Sequence, residues 1–457
     1  MRPKALSLIS LLMIAAILIV ACGGASEPTP APAAAPTVAP DAAAPTEAPA
    51  AAAPTEAPAA ATGGKTTLGL WTHSAGNEGE MKVITKMVDD FNAKQDKYAV
   101  SIEAFPQASY NDSVAAASVA GSLPCIIDLD QPTVPNFAWS GYVQELPVPA
   151  DMLAKFTAGG VGLYKDKPYS LGQFDVALLN YARKSVLEKY TIRIPTLDEP
   201  WTLDEFNAAL KTLKDSGEFD YALDVNAQNT GEWWSYAYSP MLQSFGGDLI
   251  DRSTFTTAEG VLNGPEALKW GEWFQGLFTD GYANPKPADD QCFLQGNCAI
   301  WYTGSWAAND VVKTLGDDAL FLPAVDLGNG PKIGGASWQW GISSACETPD
   351  GAWQFIEHVM QPENIALMSE TTGLVPTTGE AAALTEKYKE GGPYRVFYDM
   401  SDRFAVLRPP TPGYLRISSE FEQAGLKIRD GSNVQDVLDD AVDAINQDIA
   451  DNNNFGF

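Results

Sequence analysis

The sequence predicts an α/β protein of two domains, and three observations predict it. From Thr67 onward, strand-like and helix-like stretches alternate along the chain, the pattern of a layered α/β domain with a largely parallel sheet. The chain has 457 residues, more than one hydrophobic core usually serves. Hydrophobic residues make up 45% and charged residues 19%, an ordinary globular balance.

The chain opens on Arg2 and Lys4, and Ala5 to Val20 is uncharged and mostly apolar. A spanning helix needs ~20 apolar residues, so this stretch reads as the hydrophobic region of a signal peptide. It ends in Ile19-Val20-Ala21-Cys22-Gly23. That run resembles a bacterial lipobox, which implies cleavage of residues 1–21 and lipidation of the Cys22 thiol. Residues 22–64 are then a tether. Ala44–Ala52 reads APTEAPAAA, Ala53–Ala61 repeats it, and nine prolines lie from Pro28 to Pro58. Proline removes backbone donors and favours an extended polyproline conformation, so no core forms there.

The globular elements follow. Thr67–Thr72 (TLGLWT) reads as a first strand. Asn77 with Glu80 three residues on resembles a capping box. Ile84, Met87, Val88 and Phe91 then recur at helical spacing. Tyr98, Val100 and Ile102 alternate with their neighbours as a second strand, and Pro124–Asp128 is a short buried one. Thr202 and Glu205 form a second capping box, ahead of Phe206, Leu210 and Leu213 on one helix face. Pro265 suits a first helical position. Trp270, Trp273, Phe274 and Leu277 form a core stripe behind it, and Gly281 can stop the helix. Val434, Val437, Leu438, Ala441, Ile445 and Ile449 mark a long amphipathic helix, with Asn452–Phe457 expected to fray.

Charge and cysteine usage narrow the function. With 58 acidic and 29 basic residues the net charge is −29, and the part after residue 64 alone carries 54 acidic and 27 basic residues. Such a surface repels nucleic acid and anionic membranes. Two histidines, His73 and His358, leave little material for a His-based metal site. There is no HExxH, P-loop or GxSxG motif, and Gly328-Asn-Gly330 lacks the strand–helix context of a dinucleotide site. With Cys22 lipidated, Cys125, Cys292, Cys298 and Cys346 remain, an even number that favours disulfides in an exported protein. Three connectivities are open. Cys292 and Cys298 flank Gln295-Gly296-Asn297, which suits a local loop and would leave Cys125 with Cys346. Four buried free thiols are the alternative, and the lack of CxxC speaks against zinc and redox roles.

The order of segments resembles one family, the carbohydrate-binding proteins of bacterial ABC importers, of the maltose- and trehalose-binding type. The matching stretches are LGLWTHSAGNEGE (68–80), PCIIDLDQPTVPNFAWSGYVQELP (124–147), YSLGQFDVALLNYARKSVL (169–187), FGGDLID (245–251), FLQGNCAIWYTGSW (293–306), GGASWQWGISS (334–344) and RPPTPGYLRIS (408–418). The resemblance implies a periplasmic-binding-protein-like α/β fold, with two discontinuous lobes joined by a hinge. Lobe 1 would hold 65–174 plus 336–374, and lobe 2 would hold 175–335 plus 375–457. In that fold the strand from Pro124 lies beside the strand ending near Cys346, which supports a Cys125–Cys346 bridge.

The same resemblance implies a set of sugar-binding residues. A saccharide offers hydroxyls that need paired donors and acceptors, and apolar C–H faces that suit flat aromatic rings. Glu78, Asp130 and Asp175 match family acids, and Arg408 matches an arginine that bonds sugar hydroxyls. Trp306 and Trp338 match aromatics that line the cleft, while Trp340 reads as structural. Gln173 stands where some relatives carry a tyrosine. Glu232 and one of Trp233 and Trp234 match an acid and aromatic pair, and Trp234 is taken as the candidate. Each has a plainer reading: Glu78 as an acid at a helix start, the tryptophans as core, Arg408 as a surface ion pair.

The expected protein is a monomeric receptor, lipid-anchored outside the cytoplasm, that closes on a neutral sugar and delivers it to an ABC permease. It needs no metal or cofactor and performs no catalysis. The alternatives are a lipid-anchored glycoside hydrolase, which needs two carboxyls ~5–9.5 Å apart, and a surface lectin, which needs no hinge.

Overall fold

The computed structural model describes residues 64–457. The signal peptide, Cys22 and nearly all of the proline-rich tether lie outside the described residues.

Fourteen short strands run through the described residues. They are β1 (Thr66–Ala75), β2 (Tyr98–Pro106), β3 (Ile126–Asp130), β4 (Val161–Tyr164), β5 (Lys167–Leu171), β6 (Phe174–Asp175) and β7 (Leu178–Arg183), followed by β8 (Tyr221–Asp224), β9 (Cys298–Gly304), β10 (Ala319–Leu322), β11 (Ile333–Gly334), β12 (Trp338–Ile342), β13 (Val375–Pro376) and β14 (Ala405–Val406). They make two main sheets, each with helices packed on it, which is the two-lobed α/β arrangement. The first has the order β2-β1-β3-β12-β5-β4, the second β10-β7-β9-β8. Two short ladders, β6 with β13 and β11 with β14, pair segments from the crossings between them.

The sheets are more mixed than the strand–helix alternation predicts. Only β2, β1 and β3 run parallel in the first sheet, and only β8 and β9 in the second. Two local causes are visible. Lys165 and Asp166 both have positive φ, at 48° and 62°, which folds β4 onto β5 as a tight hairpin. β12 enters from the other lobe and lies antiparallel to both β3 and β5.

The helices follow their capping signals. Helix α1 (Glu78–Lys94) starts where the Asn77 side chain accepts from the Glu80 backbone N–H, and Ile84, Met87, Val88 and Phe91 are buried beneath it. The helix Leu203–Asp215 carries the full Thr202/Glu205 capping box. The helix Pro265–Thr279 has proline in its first turn and buries Trp270, Phe274 and Leu277. The helix Val434–Asp451 buries all six expected apolar residues. The tail beyond it does not fray. Asn453–Gly456 forms a turn and Phe455 is buried, with its ring 5.2 Å from Trp139. That apolar contact holds the tail.

Both disulfides are formed. Cys125 and Cys346 link the segments just before β3 and just after β12, and Cys292 and Cys298 close a local loop.

Candidate functional site

Because β1, β2 and β3 are parallel, their carboxyl ends share one edge of the first sheet, where open α/β sheets place ligands. His73, Asp128 and Asp130 sit there. In the β3–β12 ladder Trp338 is directly opposite Asp130, so the indole and the carboxylate stand side by side. The backbone then delivers Arg408 to the same place. Its Nη2 lies 3.5 Å from Asp130 Oδ1 and its Nη1 donates to Glu232 Oε1 at 2.7 Å. Glu232 also accepts from the Ser418 hydroxyl at 2.9 Å and from the Tyr414 hydroxyl. Asp130, Glu232 and Arg408 thus form one charge network across the two sheets.

Asp130 and Arg408 are buried while Glu232 is partly exposed, and burial shapes the charges of the first two. Burial opposes the Arg408 charge, but Asp130 and Glu232 outweigh it, so the guanidinium stays ionised. Asp130 fares differently: burial pushes its carboxyl up to about 6 despite Arg408. The Arg408 Nη2 that faces Asp130 also donates to the Ala336 carbonyl at 3.1 Å, so its pull on the carboxylate is shared. We take the arginine as charged and Asp130 as the group that gives way on acidification.

An aromatic corner lies beside this network. After Glu232 and Trp233 the chain makes a π-helical turn, Trp234–Tyr238, a feature often found at functional sites. It turns Tyr236 under the Arg408 guanidinium, 5.2 Å from ring centre to carbon. Trp306 follows β9 and is 40% exposed. Its ring centre is 6.2 Å from both Trp233 and Tyr236. Gly304 makes this pose possible, since a Cβ there would meet the indole at 2.0 Å. Tyr236 Oη and Arg408 Nε, both buried at this corner, have no hydrogen-bond partner among the described residues. Gln131 Oε1, next in the chain to Asp130, is a third.

Several predicted site residues lie elsewhere. Trp234 is 0% exposed. It donates to the Asn229 carbonyl at 3.0 Å and packs 4.9 Å from Tyr238, so it belongs to the core, while the half-buried Trp233 is the one beside Trp306. Gln173 is also internal. Its amide donates to the Val359 carbonyl and its oxygen accepts from Trp340 Nε1, at 2.9 and 3.1 Å. Asp175 is 1% exposed and fully engaged, accepting from the backbone N–H of Val176 and Ala336, each at 2.7 Å, and from the Ser401 hydroxyl at 3.3 Å. Burial raises its carboxyl to about 6. Its role here is positional: Ala336 has a φ of +68°, a conformation that costs a non-glycine residue energy. Asp175 binds its N–H while Arg408 binds its C=O, two residues before Trp338. Glu78 is exposed at the start of α1 and has no side-chain partner among the described residues.

Residue type and spacing gave His73, Asp128 and Tyr236 no place at the site and read Glu80 only as a capping residue. His73 Nδ1 is 2.6 Å from Asp128 Oδ2 and its Nε2 is 3.4 Å from Glu80 Oε2. Its ring stacks on Trp338 at 3.9 Å and 11°. The one available signal was a polar Thr-His-Ser run closing an apolar strand. A separate acidic cavity, walled by Asp220, Asp224, Asp289 and the Cys292–Cys298 disulfide, lies at the opposite end of β9 from Trp306. Asp224, Cys292 and Cys298 are close enough to share a metal, but the disulfide leaves neither sulfur as a thiolate.

Two sheets with paired crossings between them and a buried polar network at the junction define a two-lobed binding protein of the periplasmic-binding-protein type. The sequence agrees: the model of the bacterial extracellular solute-binding protein family matches residues 86–393, well over half of the chain, which therefore belongs to that family. Solved structures with this fold include the GacH receptor of Streptomyces glaucescens, studied unliganded and with acarbose. It has a TM-score of 0.71 and 18% identity over 85% of this chain and 99% of that one. A cyclic α-maltosyl-1,6-maltose binding protein from Arthrobacter globiformis has a TM-score of 0.71 and 22% identity, over 84% and 99%. An ABC transporter solute-binding protein from Thermotoga lettingae, bound with α-D-tagatose, has a TM-score of 0.67 and 21% identity, over 84% and 99%. No curated protein matches the chain. Among the described residues no helix is long and apolar enough to cross a membrane.

Proposed function

We propose that this chain is the receptor of an ABC importer and captures a neutral mono- or oligosaccharide between its lobes. The observation that carries the proposal is the pair of buried, unpartnered polar atoms, Tyr236 Oη and Arg408 Nε, beside Asp130, Glu232, Trp306 and Trp338. A buried polar group without a partner costs about 1–3 kcal/mol. Saccharide hydroxyls can supply both missing partners, and the indoles suit the apolar ring faces. The family, and the sugars bound by the similar proteins, support the same ligand class.

The lobes are 65–174 plus 336–374, and 175–335 plus 375–457. Asp130 and Trp338 belong to the first, and Glu232, Trp306 and Arg408 to the second. Ligand between them strengthens contacts that exist only in the closed form, so binding drives closure. The receptor acts as a monomer without cofactor or catalysis. Cys22 anchors it by lipid outside the cytoplasm, and the 22–64 tether lets it reach the permease.

A thermal-shift screen against mono-, di- and oligosaccharides tests this, because a ligand that binds only the native form raises its melting point. A selective rise with one sugar class is expected. No rise with any sugar, or release of shorter products from an oligosaccharide, would overturn the receptor reading.

A further inference from the structure

His73 lies outside the set of groups that would meet the ligand, yet it is the most tightly specified side chain at this edge of the first sheet. It is 4% exposed, at the end of β1. On one side, Nδ1 is 2.6 Å from Asp128 Oδ2 in β3, an oxygen that also accepts from the Thr72 hydroxyl at 3.0 Å. On the other, Nε2 is 3.4 Å from Glu80 Oε2 in α1. Glu80 has both oxygens committed as acceptors, Oε2 from the Ser74 hydroxyl at 2.9 Å and Oε1 from the Asn77 amide at 2.5 Å. Burial raises the Glu80 carboxyl, but His73 and these two donors favour its ionised form. Both ring nitrogens of His73 face carboxylate oxygens, and a neutral imidazole could satisfy only one. The geometry calls for the doubly protonated ring.

The remaining surroundings agree. The helix Gln107–Ala120 contributes Tyr110, edge-on to His73 at 6.3 Å and edge-on to Trp338 at 5.5 Å. The other charges facing this pocket are Asp130 and, beyond it, Arg408. Burial alone would lower the histidine's affinity for its proton, but Asp128, Glu80 and Asp130 outweigh it and the balance is upward. The face of this cation lies flat on Trp338 at 3.9 Å, and an indole is the strongest aromatic partner for a cation.

We propose that His73 is the positioning residue for Trp338: clamped between Asp128 and Glu80 as an imidazolium, it fixes the plane of the indole that faces the cleft. Three acids and one tyrosine surround a single histidine because its charge is what holds the ring. The effect on ligand affinity rests on the saccharide reading above. The charge and the stacking do not.

The experiment uses that separation. The chain has two histidines, so selective ¹⁵N-histidine labelling gives two ring spectra, assigned with His73→Gln. The Trp338 indole N–H is assigned with Trp338→Phe. In the wild type, His73 should stay doubly protonated well above pH 6.5, the value for a free imidazole. The Trp338 indole signal should shift at the same pH as His73 finally titrates. Titration of His73 at or below pH 6.5, or an indole signal that ignores it, would overturn the proposal whether or not any sugar binds. With the tightest sugar from the thermal screen, wild-type affinity should fall at that same pH. His73→Gln should weaken binding roughly 2- to 30-fold, the span of a cation–aromatic contact, and flatten the pH profile. Unchanged affinity and an unchanged profile in a folded His73→Gln would also overturn it. If that variant fails to fold, the wild-type coincidence of the two midpoints decides. A panel without any binder counts against the saccharide reading alone.

Discussion

The two disulfides should differ sharply in what they contribute, and the difference can be worked from chain topology. Cys125 and Cys346 are 221 residues apart, Cys292 and Cys298 only 6. A cross-link restricts the unfolded chain roughly as the logarithm of the loop it closes, which gives about 5 kcal/mol for the long loop and about 2 kcal/mol for the short one. The long bridge also sits where β3 meets β12, so it pins the ladder that sets Asp130 opposite Trp338. The perturbation is the pair of double variants Cys125→Ser/Cys346→Ser and Cys292→Ser/Cys298→Ser, each unfolded in urea and followed by tryptophan fluorescence. The first should lose stability by about 3 kcal/mol more than the second, and should lose ligand affinity where the second does not. Equal losses, or a larger loss from the short loop, would refute the chain-entropy argument at this site.

Three further outcomes are expected. Arg408→Met leaves Asp130 and Glu232 without their shared cation, and breaking a buried pair in this way costs about 3–5 kcal/mol. The loss should be largest at pH 7.5 and shrink below pH 6, where Asp130 takes up a proton; a loss under about 1 kcal/mol at pH 7.5 in urea titrations would contradict the network. Trp306→Ala should weaken sugar binding by about 2 kcal/mol or more, whereas Trp234→Ala should cost about 3–5 kcal/mol of stability as a core truncation. Calorimetric titration and melting curves on both variants would count against the assignment if the two behaved alike. The pH dependence of stability also follows. Asp130 and Asp175 have folded-state values raised to about 6, so the native state binds their protons more tightly than the unfolded chain. Their contribution is greatest below about pH 4 and is lost as pH rises to about 6. His73 is raised as well, so its contribution is complete below about pH 6.5 and is lost at higher pH. The signs agree, and scanning calorimetry should find a higher melting temperature at pH 5 than at pH 8; the reverse order would be incompatible with these buried groups.

The helices were legible because their signals are local. Thr202 with Glu205, Asn77 with Glu80, and the apolar stripe from Val434 to Ile449 each depend on residues within one or a few turns. Sheet direction was not, since it depends on which strand arrives from the other lobe. At the site, the family resemblance had pointed to Asp130, Glu232, Trp306, Trp338 and Arg408, and the fold gathers these side chains at one junction. The resemblance could not tell which of two adjacent tryptophans faces inward. Trp233 caps the π-helical turn that Trp234 begins, and that one step separates a buried ring from a half-buried one beside Trp306. Asp175 and Gln173 are polar residues at a chain crossing, and buried backbone groups there claim their hydrogen bonds. His73 escaped notice because its significance lies in three partners distant in sequence, or in another element.

The segment after the helix Val434–Asp451 carries a practical lesson for anyone shortening this protein. Phe455 presses on Trp139 and on the α-carbon of Gly413, where a methyl group would collide at 2.8 Å. Phe457 rests 5.2 Å from Phe255, and Lys165 donates to the Gly456 carbonyl at 3.4 Å. The last five residues therefore stitch the β4–β5 hairpin to the segment leading into the helix Tyr414–Arg429. Phe455 is the buried stitch, so a chain cut back to Asn452 would leave that seam open.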